Sequence, residues 1–199
     1  MKRFAIAAVT VVASLAMAQE GTTETTSSMN SPIKIYSNID LNMAKIDAGS
    51  ESLDMGYSLV AGVDGVWMYD EAMGASIGLD FNMLQGKKNG TTVKNNYLDI
   101  PVNFAYNWAI TSDVNSLIGI GPYFGIPMGK WKYTGTTTGD DKAKVAMGLN
   151  LESHTTFMMS SDFSLGGHVG FKYAFNDLSD LADTQNYWAL GLGVSAKFL

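Results

Sequence analysis

The sequence predicts an all-β fold: an eight-stranded antiparallel up-and-down transmembrane β-barrel that follows an N-terminal signal peptide. Three features predict it: an export signal, apolar and polar residues that alternate with a period of two, and connections that alternate between short and long. The composition agrees, since the 199 residues include 21 Gly, 9 Tyr, 9 Phe and 4 Trp but only 4 Pro. Because the chain has no Cys, disulfides and thiolate metal sites are excluded.

The N-terminus has the three parts of a secretory signal peptide, which occupies residues 1–18. Lys2 and Arg3 form the basic start, residues 4–15 are apolar, and Ala16-Met17-Ala18 is a small-x-small cleavage site. We therefore expect export from the cytoplasm and cleavage after Ala18.

A polar leader follows the signal. Residues 19–32 are rich in Thr, Ser and Glu and contain little to bury, so we expect a flexible periplasmic segment. Removing Lys2 and Arg3 from the 13 cations leaves 11, all of them Lys, against 19 acidic residues. An exported acidic chain of this kind is excluded as a nucleic-acid binder, because phosphate contacts require a basic surface.

The barrel domain is expected over residues 33–199, where eight segments alternate between apolar and polar residues. Each is long enough for a tilted strand that crosses a bilayer, which needs about 9 to 11 residues. The segments are residues 33–43, 55–68, 72–84, 97–108, 117–128, 145–158, 163–175 and 187–198. The connections 69–71, 109–116 and 159–162 are shorter on average than 44–54, 85–96, 129–144 and 176–186. Short turns at one end and long loops at the other are typical of an outer-membrane barrel with both termini in the periplasm.

The small size of the polar residues indicates which face is inside. The polar faces of the second and third segments read Gly56, Ser58, Gly62, Asp64 and Gly74, Ser76, Gly78, Asp80. Small groups and paired charges suit the narrow interior of an eight-stranded barrel. Trp67, Trp108 and Phe198 lie on the apolar faces at one height, as in a membrane girdle. The alternative is a soluble lipocalin-like ligand-binding barrel, which has an apolar interior and a polar surface.

Three segments resemble a known family. Residues 96–101 (NYLDIP) are similar to its "YLEIP" strand, residues 121–125 (GPYFG) to its "GPY-G" strand, and residues 187–193 (YWALGLG) to its last strand. The family is the PorT-like outer-membrane β-barrel family of Bacteroidetes-type bacteria. The resemblance covers essentially the whole mature chain and implies a barrel inserted by the outer-membrane assembly machinery. It does not imply a single function.

A polar cluster is predicted inside the barrel. Its members are Asp99, Glu152, His154, His168 and Lys172. Depending on the register, His168 lies opposite His154 or Glu152. We interpret the cluster as a plug of paired charges, since buried charges require partners. No metal, cofactor or catalytic residue is assigned, and we expect no enzyme activity.

We expect a structural or surface-interaction protein of the outer membrane that works through its long extracellular loops. The alternative is transport of a small hydrophobic ligand through a lateral opening, for which Pro122 and Pro127 in the fifth segment are the candidates, because proline cannot complete a strand ladder.

The loop charges predict an outer mouth with a basic and an acidic half. The second and third long loops carry most of the lysines, while the first and fourth are acidic overall. We expect the basic half to face the phosphates of lipopolysaccharide or another anionic partner. Its expected contact residues are Lys87, Lys88, Lys130, Trp131, Lys132 and Tyr133, with the aromatic residues as exposed amphipathic anchors.

Overall fold

The structure is a computed structural model that describes residues 33–48, 51–52, 55–136, 138–179 and 185–198. Eight long strands form its wall. They are β1 Ile33–Ala48, β2 Gly56–Met68, β3 Met73–Lys88, β4 Thr91–Ala109, β5 Val114–Pro127, β6 Ala146–Met158, β7 Phe163–Ala174 and β8 Gln185–Phe198. Each strand pairs antiparallel with the next, and β8 pairs with β1, which closes the barrel. The predicted all-β fold, a closed eight-stranded antiparallel up-and-down barrel, is confirmed.

The expected signal peptide at 1–18 and leader at 19–32 lie outside the described residues. Within the described residues, no helix is both long enough and apolar enough to span a membrane.

Three short turns and the two ends of the barrel chain lie at one end of the barrel, which we call the turn end. The turns are residues 69–72, 110–113 and 159–162. Ile35 pairs with Phe198, so β1 begins and β8 ends at this end as well. In the first turn the Asp70 carboxylate accepts hydrogen bonds from the backbone N–H groups of Met73 and Ala72, at 2.7 and 2.8 Å. The longer connections lie at the opposite end, the loop end.

The second long loop, predicted over residues 85–96, is not present. Strand β3 continues to Lys88 and β4 begins at Thr91, so only Asn89 and Gly90 connect them. Both have positive φ, 48° and 77°, as in the two-residue hairpin turns that favour an Asn-Gly sequence. The Lys and Thr residues around this turn belong to a β-ribbon that extends beyond the barrel wall.

Two short strands broaden this ribbon. They are Trp131–Thr134 and Gly139–Asp141, both in the connection between β5 and β6. The first pairs with the start of β4 and the second pairs with the first. Together with the outer ends of β3 and β4 they form what we call the loop-end sheet. A further short strand, Glu51–Ser52, pairs with the end of β1.

The barrel is apolar outside and polar inside. Large apolar side chains cover the outer face, with Leu41, Ile77 and Leu192 about 60% exposed. Asp, Asn, Ser, Glu, His and Lys side chains are buried in the interior. The predicted orientation is confirmed. The soluble lipocalin-like alternative is wrong, since it requires the reverse arrangement.

Three layers of side chains fill the interior. At the turn end Tyr36, Val66, Ala105 and Leu117 form a small apolar cluster. The buried polar and charged residues form the central layer. The loop-end cluster contains Ala44, Ile46, Leu84, Val93, Tyr97, Tyr123, Trp131, Ala146, Ala174, Leu178, Tyr187 and Ala189.

Trp131 closes the loop end and is not the exposed anchor that the sequence predicted. Its side chain is 2% exposed, and its Nε1 donates a hydrogen bond to the carbonyl oxygen of Leu178 at 3.0 Å. Leu178, from the connection between β7 and β8, is also fully buried. The indole is buried because the loop-end cluster supplies both an apolar pocket and an acceptor for its N–H.

Candidate functional site: the central polar layer and the loop-end sheet

The five residues of the predicted luminal cluster all lie in the central layer. Asp99 is on β4, Glu152 and His154 are on β6, and His168 and Lys172 are on β7. All five are at most 7% exposed. They point inward because side chains alternate along a strand, so residues separated by two share a face. The structure divides them among three groups of contacts.

Lys172 forms an ion-paired group towards the loop end. Its Nζ donates to Asp80 Oδ2 at 2.7 Å and to Asp99 Oδ2 at 2.8 Å. Asn82 Nδ2 also donates to Asp99 Oδ2, at 3.0 Å. The ammonium lies 5.6 Å from the centre of the Tyr123 ring. Charge-assisted hydrogen bonds from one ammonium therefore satisfy two carboxylates.

Glu152 lies apart from Lys172 and has amide partners. Asn103 Nδ2 donates to Oε1 at 2.8 Å, and Asn150 Nδ2 donates to Oε2 at 2.9 Å. In the strand register Lys172 pairs with Asn150, while Glu152 pairs with Gly170. Lys172 thus lies two residues nearer the loop end than Glu152. Its ammonium therefore binds the carboxylates of Asp80 and Asp99 instead of that of Glu152.

The two histidines form the third group. His168 is directly opposite His154 in the ladder, which decides between the two registers left open by the sequence. The ring centres are 4.4 Å apart. His168 Nδ1 lies 2.8 Å from Asp40 Oδ1, and His154 Nδ1 lies 2.8 Å from Ser195 Oγ. The Nε2 atoms of both rings are buried without a hydrogen-bond partner.

Glycines make room for the carboxylates of this layer. A Cβ added at Gly62 would overlap Asp80 Oδ1, and one added at Gly78 would overlap Asp64 Oδ1. The small inward residues that indicated the inner face in the sequence therefore provide the space in which the charged residues lie.

A Ser–His–Asp arrangement is present that the sequence analysis did not find. Ser195 Oγ is 2.8 Å from His154 Nδ1, and Asp64 Oδ2 is 3.7 Å from His154 Nε2. All three residues are at most 1% exposed, so a substrate has no approach to the hydroxyl. Ser160 and Ser161, the serines next to the acidic Asp162, are exposed in a turn at the turn end, far from either histidine in the strand register. Because the hydroxyl is buried and the Asp64 contact is longer than a hydrogen bond, the arrangement gives no support to hydrolytic chemistry.

A small cavity adjoins the central layer. It has a volume of about 20 Å³ and is lined by residues that include Asn38, Asp40, Asn42, Glu152 and His168. Since one water molecule needs about 10 to 15 Å³ of such space, the cavity suits one or two water molecules.

The loop-end sheet carries a basic face. Lys94 on β4 pairs directly with Lys132 on the first short strand, and both side chains are exposed. Lys87 and Lys130 are exposed as well, and Lys130 Nζ lies 3.1 Å from Asp140 Oδ2. Strand alternation puts Lys87 and Lys94 on the outer side, because Gly86, Val93 and Asn95 are buried. We call Lys87, Lys94, Lys130 and Lys132 the basic face.

The other residues predicted for surface interaction have different positions. Trp131 is buried, as described above, and Tyr133 is half-buried. Burial, and to a smaller extent the charge of Asp141, raises the pKa of the Tyr133 hydroxyl. The side chain of Lys88 lies outside the described residues, as do those of Asp47, Glu51, Asp54, Asp180 and Asp183, on which the predicted acidic half depends.

The fold is similar to solved outer-membrane barrels. Neisserial surface protein A aligns with a TM-score of 0.55 and 14% identity, over 84% of this chain and 98% of that chain. A major outer membrane protein from Thermus thermophilus aligns with a TM-score of 0.50 and 13% identity, over 83% and 98%. No family model matches the chain, and no curated protein does. The comparisons establish the barrel fold, and the resemblance to the PorT-like family stays a prediction.

Proposed function

We propose that the protein is an outer-membrane barrel with an occluded interior that works as a structural and surface-interaction protein, and that its basic face binds the phosphates of lipopolysaccharide. The observation that carries this proposal is the position of the basic face, on the outer side of the loop-end sheet and directly beyond the apolar band.

The membrane part of the proposal rests on the outer face. In water, the apolar side chains that surround the wall would form a patch far larger than the few hundred Å² that soluble monomers expose. A closed barrel satisfies its backbone hydrogen bonds internally, which a bilayer requires. The export signal at residues 1–18 favours the outer membrane as that bilayer.

The occlusion rests on the three interior layers. Tyr36 and Leu117 fill the turn end, Lys172 and its carboxylates fill the centre, and Trp131 and Leu178 fill the loop end. The cavity of about 20 Å³ is too small for a hydrated ion.

The basic face favours an anionic partner. Lys94 and Lys132 lie directly opposite each other, and like charges in that position destabilise a strand pair. Asp140, which pairs with Lys132 on its other side, offsets only part of this repulsion, because it also pairs with Lys130. Lys87 is diagonal to Lys94, because Gln85 pairs with Lys94 and Lys87 with Thr92. Phosphate groups at the level of the membrane surface would offset this repulsion. The attraction should weaken with salt, since the screening length is about 8 Å at physiological ionic strength.

The test is retention of lipopolysaccharide by the purified barrel. The double variant Lys94→Gln/Lys132→Gln should lose retained lipopolysaccharide and the salt dependence of its binding. The matched control is Lys142→Gln/Lys144→Gln, which removes the same charge from the connection that carries Lys132 but leaves the basic face intact. Equal retention by both double variants and the parent protein would contradict the proposed binding role.

Lateral transport of a small hydrophobic ligand is the weaker proposal, although the backbone pairing between β4 and β5 is interrupted near Pro122. The ladder between β4 and β5 has bridges at Pro101–Tyr123 and Phe104–Ile120 but none between them, beside Pro122. Pro127 is at the end of β5, paired with Tyr97. Inside this gap lies Asn103, with its amide bonded to Glu152. A hydrophobic ligand that entered here would meet buried polar groups, so we favour the surface role. A co-purifying fatty acid would favour transport.

A further inference from the structure

We propose that the central layer binds one divalent transition-metal ion of the Zn²⁺ class, held by His154, His168 and Glu152. One donor atom of each of these residues lies within 4.8 Å of the donor atoms of the other two, and all three residues are buried. His154 and Glu152 are two residues apart on β6, and His168 faces His154 from β7. The ion would thus join two neighbouring strands at the middle of the barrel.

The orientation of the imidazole rings supports the site. The Asp40 carboxylate can only accept, so the contact at 2.8 Å puts the proton of His168 on Nδ1 and leaves the lone pair on Nε2. Ser195 Oγ lies 2.8 Å from Nδ1 of His154 and can accept its proton or donate to it, so an ion at Nε2 would select the tautomer in which Nδ1 donates to the hydroxyl. Metal-binding histidines ordinarily donate their second ring N–H to a carboxylate or another acceptor, which fixes the ring. Here both rings are fixed through Nδ1 and both Nε2 atoms lack a partner.

Glu152 is prepared as an oxygen ligand. Asn103 and Asn150 each donate one hydrogen bond to a different carboxylate oxygen, and both bonds stabilise the ionised form. Each oxygen keeps a further lone pair. Asp64 supplies another carboxylate near the site, with Oδ2 at 3.7 Å from His154 Nε2 and Oδ1 without a partner.

The charge of the interior also favours a cation. Among the described residues, the buried carboxyl groups are Asp40, Asp64, Asp80, Asp99 and Glu152. Lys172 pairs with Asp80 and Asp99. The other three have amide or imidazole neighbours but no lysine within ion-pair distance in the described part of the chain. Burial disfavours an isolated carboxylate, so these groups are stable as anions only beside a cation, which a divalent ion at the two histidines would supply.

The donor set selects the class of metal. Two imidazole nitrogens and one carboxylate suit Zn²⁺ and its neighbours Co²⁺, Ni²⁺ and Cu²⁺, whereas Mg²⁺ and Ca²⁺ prefer oxygen ligands alone. Strands of a closed barrel hold such donors rigidly. The ion would therefore act as a structural cross-link between β6 and β7.

The first experiment uses the complete mature protein without substitution. It is folded in detergent with Zn²⁺, passed through a gel-filtration column and analysed for bound metal. We expect one Zn²⁺ per chain, two imidazole ligands in its X-ray absorption spectrum and Zn–N distances of about 2.0 to 2.1 Å. Absence of retained Zn²⁺, or a spectrum with oxygen ligands alone, would overturn the proposal.

Variants then test the assigned residues. The variant His168→Asn keeps a side-chain N–H that can donate to Asp40 but removes the imidazole that would bind the ion. We therefore expect its Zn²⁺ affinity to fall by at least tenfold. Asp40→Asn weakens the positioning of His168 and should cost about 10- to 100-fold in affinity. Ser58→Ala is the matched control, because Ser58 is an equally buried polar residue outside the donor set. If His168→Asn, shown to be folded by its circular dichroism, binds Zn²⁺ as tightly as Ser58→Ala does, the assignment is wrong.

Discussion

Trp131 and Leu178 close the loop end together, since the indole N–H of Trp131 donates to the Leu178 carbonyl oxygen at 3.0 Å. The two residues come from different connections, and both side chains are buried in the loop-end cluster. The same carbonyl accepts the backbone N–H of Lys144 at 2.9 Å. The Leu178 carbonyl therefore joins the connection between β5 and β6 to the connection between β7 and β8.

Replacing Trp131 should loosen the loop end. Trp131→Ala removes the largest side chain of the loop-end cluster, and substitutions of this kind cost about 3 to 5 kcal/mol of stability. Trp131→Phe keeps most of the volume, and Lys144 still satisfies the Leu178 carbonyl, so we expect a cost of about 1 kcal/mol. Unfolding in detergent and protease cleavage between β5 and β6 measure both effects. Equal stability of Trp131→Ala and the parent protein would show that the side chain does not hold the loop.

Among the buried charged residues described, Lys172 should be the one whose substitution lowers the stability of the barrel most. Lys172→Met leaves Asp80 and Asp99 without their shared cation, which costs about 3 to 5 kcal/mol for a buried pair. Lys142→Met, at an exposed position, is the control and should leave the unfolding midpoint unchanged. Restored stability in the triple variant that adds Asp80→Asn and Asp99→Asn would assign the loss to the unpaired carboxylates. A parental midpoint for Lys172→Met would instead mean that water reaches the site.

The proposed occlusion of the interior predicts the electrical behaviour of the barrel. In a planar bilayer the folded protein should give no sustained single-channel steps, because apolar clusters fill both ends of the interior. Protein refolded from inclusion bodies avoids porins of the cell envelope, and its heat-unfolded form is the blank. Reproducible steps present only in the folded sample would contradict the occlusion.

The stability of the first turn, residues 69–72, should depend on pH through the Asp70 carboxylate. The backbone N–H groups of Met73 and Ala72 stabilise its carboxylate and lower its pKa below the usual range. A lowered folded-state pKa contributes stability that is present above the unfolded pKa and is lost as pH falls through the folded value. NMR titration of Asp70 should therefore show an acid-shifted midpoint. A midpoint at the ordinary Asp value would contradict the turn geometry.

The alternating pattern predicted most of the barrel because it has a direct physical cause. Successive side chains of a strand point to opposite faces, so Gly62, Asp64 and Asp80 identified the inner face without any knowledge of the register. The pairing of His154 with His168 could not be predicted, since it depends on how many residues the turn at 159–162 removes from the ladder.

The loops were predicted less well. Asn89-Gly90 is a strong hairpin signal that was available in the sequence, but the polar residues around it were interpreted as a loop. The burial of Trp131 had no sequence signal, because a loop has no periodicity and its partner Leu178 lies in a different connection. The same is true of the hydrogen bonds that orient the two histidine rings.

The four tryptophans allow the most direct test of the central claim, that the apolar face meets lipid and the interior is filled. Variants that keep a single tryptophan, with Phe at the other three positions, are placed in bilayers with brominated acyl chains. Trp108, which is 55% exposed on the outer face, should be strongly quenched, and Trp131, 2% exposed in the interior, should not. Equal quenching of the two, or stronger quenching of Trp131, would contradict the account.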